Sequence, residues 1–155
     1  MKLTNMLDSR GMRGRGACGF FLALTLLANS PAAAQTLTTL HEFEPTPDNT
    51  INSEGANPSA GLVLEGDTLY GTANKYGLFG KGTVFKVKLD GSGFTVLHSF
   101  TALSGSPAAN ADGANPDAAL VLFAGTLYGT TEFGGSANQG TVFAIKTDGT
   151  GFTNQ

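Results

Sequence analysis

Two histidines, His41 and His98, have the widest chemical range of any side chains in this chain, and there are no others. An imidazole near neutral pH can act as a base, a proton relay or a metal ligand. Both stand in nearly the same local string, Leu40-His41-Glu42-Phe43 and Leu97-His98-Ser99-Phe100. One active centre needs one base, not duplicates at equivalent places, so the expected role is structural: an imidazole hydrogen-bonded at a strand. A zinc set would need further imidazoles or thiolates. The single cysteine, Cys18, lies far from both in the N-terminal leader, and no metal ligands are assigned.

The carboxylates come next. Asp90 and Asp148 each open an Asp-Gly-x-Gly-Phe string, which lacks the ordered carboxylates and closing glutamate of a calcium loop and reads as a hairpin turn. Glu54 and Asp112 each precede Gly-Ala-Asn-Pro. Asparagine before proline favours an extended or turn conformation, so this motif reads as a loop-to-strand entry. Gly80-Lys81-Gly82-Thr83 lacks the spacing of a phosphate loop, and no Gly-x-Ser-x-Gly elbow anchors a hydrolase triad. Tyr70 and Tyr128 recur together and read as packing residues with a hydroxyl at the rim. No catalytic residue and no cofactor is expected.

The elements that position these residues repeat. Glu54–Leu97 and Asp112–Gln155 align at an offset of 58 with 24 of 44 positions identical, which marks a tandem repeat. The histidine strings recur at 57, so one residue is added in the loop before Gly113. Repeat 1 covers about residues 40–96 and repeat 2 about 97–155. Each copy carries four β-rich segments, in the first copy Gly61–Glu65, Thr68–Ala73, Gly82–Leu89 and Phe94–Phe100, the number in one propeller blade. In the third, Phe85, Val87 and Leu89 alternate with Lys86 and Lys88, predicting one buried face and one partly wet face. The expected fold is all-β: tandem four-stranded antiparallel blades, propeller-like, in an incomplete ring.

Residues 1–34 read as a signal peptide, with Lys2, Arg10, Arg13 and Arg15 before the apolar run Ala17–Ala28 and with Ala32-Ala33-Ala34 before a cut at Gln35. The predicted mature domain is residues 35–155, exported to the periplasm, the cell surface or beyond, with no membrane span. Removing the leader takes four of nine basic and one of twelve acidic residues and leaves a net charge of −6, which argues against a nucleic-acid partner. The mature chain has no cysteine and forms no disulfide.

The set Gly-Ala-Asn-Pro, Leu-Tyr-Gly-Thr, Gly-Thr-Val-Phe, Asp-Gly and Leu-His-x-Phe, at a period near 58 between Leu40 and Thr153, resembles the GloVer-type tandem repeat of exported bacterial proteins, the choice-of-anchor type. The resemblance implies a secreted, propeller-like repeat protein, often with a variable C-terminal anchor, and carries no catalytic residues. Such proteins usually hold more than two repeats, and where Val96-Leu97 should recur the sequence reads Asn154-Gln155. A truncated chain is therefore expected, with open strand edges and apolar blade faces inviting self-association.

The loops Glu44–Ser59 with Thr101–Asp117, and Asn74–Lys81 with Glu132–Gln139, should emerge on one face of the blades. They vary between copies while the strands do not, which is where binding surfaces usually lie. Asn52, Asn74, Tyr76, Asn110, Glu132 and Asn138 are the candidate contacts to a glycan or protein ligand. The sequence thus predicts a binding or structural module. The alternatives are a fragment of a longer repeat protein and an extracellular polysaccharide-acting enzyme, which would need a symmetry-breaking acid, base or metal cluster.

Overall fold

The computed structural model describes residues 36–46, 52–105 and 108–154; the expected signal peptide lies outside the described residues. Two hairpin-connected sheets follow one another along the chain. In the first, β1 (Val63–Glu65), β2 (Thr68–Ala73), β3 (Thr83–Lys88) and β4 (Thr95–Ser99) pair antiparallel in sequence order. The second repeats the order with β5 (Val121–Phe123), β6 (Thr126–Thr130), β7 (Val142–Lys146) and β8 (Thr153–Asn154). No helix occurs among the described residues. The fold is all-β, in two blade-like four-stranded units.

Local chemistry fixes the turns. Between β3 and β4 the Asp90 carboxylate accepts hydrogen bonds from Ser92 N at 2.8 Å and Ser92 Oγ at 2.7 Å, and Gly91 takes φ 83°, a backbone that glycine adopts without steric cost. Asp148 and Thr150 repeat these bonds at 2.8 and 2.7 Å. The hydrogen bonds from Ser92 and Thr150 hold the two carboxyls below the usual carboxylate range.

The middle strands carry the core. Gly71 on β2 and Gly129 on β6 face the rings of Phe85 and Phe143; a Cβ on Gly129 would stand 2.5 Å from Phe143 Cζ. Glycine there lets each ring lie flat over the neighbouring strand.

β3 departs from simple alternation. Phe85 and Val87 are buried as expected, but so are Thr83 and Val84, and Leu89 is exposed just beyond the strand. Val84 is buried on the face expected to be partly wet because the second sheet covers it: Tyr70 and Val84 join Phe100, Leu120, Leu127, Phe143 and Ile145 in one buried cluster. The core therefore lies between the sheets.

β4 is the link. Its register against β3 shifts between Val84 and Phe85, and the extra residue, Leu97, marks a β-bulge that turns the end of the strand toward the second sheet. Leu97 and Phe100 pack into the second sheet's core, where the Phe100 and Phe143 rings meet edge to face at 5.3 Å. The first sheet has the same arrangement: Phe43, from the segment before β1, meets Phe85 at 5.3 Å. Phe100 is fully buried, whereas Phe43 is half-buried.

Replacing Phe100 by alanine is therefore expected to lower stability by about 3–5 kcal/mol. Phe43→Ala is expected to cost roughly half as much, since less apolar area returns to water. Urea denaturation followed by far-ultraviolet circular dichroism measures both. Equal losses would contradict the unequal burial of the two rings.

Candidate functional site

Each histidine faces a carboxylate and an aromatic ring. His98, on β4, places Nε2 at 3.1 Å from Asp112 Oδ2, and its ring stacks on Phe152 with centroids 3.9 Å apart and planes 9° from parallel. His41 places Nε2 at 3.1 Å from Glu54 Oε2 and stacks on Phe94 at 3.7 Å and 8°. Each carboxylate also accepts a backbone N–H three residues beyond its histidine, from Thr101 at 3.0 Å or Glu44 at 2.9 Å. The carboxylate thus holds the imidazole and the start of the following loop together.

Burial pulls the His98 pKa below the usual 6.5, against the raising effect of the Asp112 hydrogen bond and charge. A histidine held by a carboxylate resembles the base and orienter of a hydrolytic triad. Here the neighbouring hydroxyl, Thr101 Oγ1, hydrogen-bonds to Asp112 Oδ1 rather than to the imidazole. The order nucleophile, base and orienter is not built, and the same unit occurs twice. Among the described residues no group of three or more histidine, cysteine, aspartate or glutamate side chains could hold a metal.

The histidines are hydrogen-bonded, as the strand reading implied, but Glu54 and Asp112 do more than start a strand. Sequence reasoning matched them across the copies without pairing them to the histidines. The missed signal was joint recurrence: histidine and carboxylate lie 13 residues apart in one copy and 14 in the other.

The candidate contact residues fall into two groups. Asn52 is buried; its amide donates to Glu44 O at 2.9 Å and Gly55 O at 3.0 Å, and its Oδ1 accepts Gly55 N at 2.7 Å. Asn110 repeats this with Thr101 O at 2.6 Å, Gly113 O at 2.7 Å and Gly113 N at 3.1 Å. Both asparagines sew their own loops closed. Asn74, Tyr76, Glu132 and Asn138 stand in the loops joining β2 to β3 and β6 to β7. Tyr76 has φ 60° and Asn138 φ 54°, and Asn138 Oδ1 accepts Gly134 N at 2.8 Å.

The two kinds of loop meet. Bridges Ala56↔Lys75 and Ala114↔Phe133 tie the loop entering each blade to the loop between its middle strands. In both blades the second loop closes through one frame, Gly82 N to Tyr76 O at 2.7 Å and Gly140 N to Gly134 O at 3.1 Å. On that frame the side chains differ: Lys75, Tyr76, Leu78 and Phe79 in one blade stand where Phe133, Gly134, Ser136 and Ala137 stand in the other. In the second blade a cleft of ≈ 490 Å³ opens between the loops, lined by Ala109, Asn110, Ala111, Gly135, Ser136 and Asn154.

Protonation of His98 gives a pH signature. The unfolded chain binds this proton with pKa near 6.5 and the folded chain only at lower pH. Stability is then full above that value and falls as the pH drops below it, until the folded pKa is reached. Urea midpoints measured from about pH 7.5 to about 5.5 are expected to decline, with a smaller slope in His98→Gln, because only a group that protonates differently in the two states contributes. An unchanged slope in the variant would contradict a buried, proton-resisting His98.

The repeat has relatives at the level of a family. No curated protein sequence matches the chain. The Gloeobacter/Verrucomicrobia repeat family matches residues 25–155, a span that includes both sheets, both histidine–carboxylate units and the loops between them. By that match the chain belongs to the Gloeobacter/Verrucomicrobia repeat family.

Proposed function

We propose that the chain is an exported binding module, with two equivalent blades carrying dissimilar loops toward a glycan or protein ligand at or outside the cell surface. The observation that carries this reading is the constant loop frame with changed side chains, together with the cleft of ≈ 490 Å³ between the loops of the second blade. A fixed backbone scaffold with variable loop side chains is a common way for folds to place recognition surfaces. The histidines, Glu54 and Asp112 are assigned to architecture, because each makes the same bonds in both copies. Tyr76, Leu78 and Phe79 supply apolar and aromatic area in the first blade's loop; Leu78 and Phe79 are exposed. Aromatic side chains pack on sugar rings and on protein surfaces alike.

Export is read from the basic, apolar and small-residue order of residues 1–34. Expressed from Met1 in a bacterium, the exported product is expected to begin at Gln35 by intact mass. An uncleaved product retained inside the cell would contradict export by this signal.

Binding is tested by titrating cell-surface oligosaccharides and extracellular protein fractions against isotope-labelled chain. Amide shifts are expected to concentrate at residues 74–81, 109–111 and 132–139. Tyr76→Ala or Phe79→Ala is expected to weaken the interaction about tenfold, the scale of losing one well-placed contact. Shifts spread over the strands, or confined to other loops, would contradict a loop-borne site.

A further inference from the structure

Equivalent residues in the two blades share their identity but not their exposure, and the differences trace one surface. Tyr70, Thr72 and Val84 are 5%, 2% and 0% exposed. Their counterparts on the second sheet are open: Tyr128 is 40% exposed, Val142 is 52% exposed and Thr130 is exposed. The opposite faces show the reverse. Leu120 is 5% exposed and Pro116 is fully buried, whereas Leu62 is 51% exposed and Pro58 is exposed. The second sheet covers the Tyr70 side of the first and the first covers the Leu120 side of the second, while Pro58 and Leu62 on one outer side and Tyr128, Thr130 and Val142 on the other are exposed.

The joint within the chain shows what fits such a face. Asn115 N donates to Lys81 O at 2.8 Å and Asn115 Nδ2 donates to Asn74 O at 3.0 Å. Pro116 sits so close to Gly82 that a Cβ there would stand 2.6 Å from Pro116 Cδ. Ser59 Oγ donates to Asp117 Oδ1 at 2.6 Å. Ser59 and Asp117 are each other's counterparts and are already bonded; the asparagine–carbonyl and proline–glycine pieces recur at the exposed sides. Asn57 and Pro58 stand for Asn115 and Pro116; Glu132, Gln139 and Gly140 stand for Asn74, Lys81 and Gly82. A cleft of ≈ 340 Å³ lined by Thr131, Gln139, Gly140 and Val142 among others opens where Pro116 is seated in the other blade. On the first sheet a cleft of ≈ 330 Å³, lined by residues including His41, Phe43, Pro58, Leu62 and Phe85, matches the wall that packs with Tyr70 and Val84 inside the chain.

We propose that a second copy of this chain docks the open face of its first sheet onto the open face of the β5–β8 sheet, repeating between chains the joint already made within one. Asn57 of the incoming copy bonds the carbonyls of Glu132 and Gln139, Pro58 seats against Gly140, and Tyr128 and Val142 enter the cleft beside Leu62. The contact joins two different surfaces, so it is heterologous and propagates head to tail, into a ring if the rotation closes and into a filament if it does not.

Light scattering of the full chain after size exclusion tests this, with Leu62→Asp blocking one face and Val142→Asp the other. Both residues are more than half exposed, and circular dichroism confirms that the variants keep the wild-type fold. The wild type is expected to run above monomer mass, each variant alone to be monomeric at the same concentration, and an equal mixture to form a dimer that extends no further, because only one complementary pair of faces remains. A wild type that stays monomeric, oligomers that survive both substitutions, or variants that fail to pair on mixing would each overturn the proposal.

Discussion

The structure depends on the passage of one strand end from its own sheet into the core of the next. After the bulge at Leu97, β4 still pairs with β3, yet it delivers Leu97, His98 and Phe100 to the second sheet. A buried aromatic ring contributes several kcal/mol through lost water contact, a large share of the stability of a domain this size. The imidazole of His98 adds direction: stacked on Phe152 and hydrogen-bonded to Asp112, it fixes where the loop toward the next repeat begins. Two short sheets thereby share one cluster of buried side chains.

This arrangement explains why residues rich in chemical possibility are held in architecture. The carboxylate–imidazole pair joins consecutive structural units, and a joint must recur as often as the unit does. Asn52 and Asn110 obey the same logic, each closing three hydrogen bonds within its own loop. What differs between copies is left to the loop tips, where Gly134 of the second blade stands in the place of Tyr76 on the same backbone frame.

The strands were legible because their signals are local. Thr68–Ala73 matches the expected segment, and β3 and β4 fall one residue inside theirs at each end; alternation and Asp-Gly turns are properties of neighbouring residues. The pairing of His98 with Asp112 was not legible, since it is made across a loop whose closure no local pattern encodes. Nor was the environment of Tyr128, identical to Tyr70 in sequence context but open where Tyr70 is buried. That difference is set by which neighbour is present, a tertiary property. That Asn52 and Asn110 bond their own loop backbone was not legible either, because polar loop residues look alike whether they turn outward or bond their own backbone.

The central claim is that the two sheets form one cooperative unit through the end of β4. Native-state hydrogen exchange at the amides of β2, β3, β6 and β7 tests it most directly, because such exchange reports the opening free energy of each segment separately. The account predicts that the slowest amides of both sheets open with one common free energy and the same denaturant dependence. Two distinct values, with β6 and β7 opening while β2 and β3 stay protected, would contradict it and would reduce the joint to a contact between independent sheets.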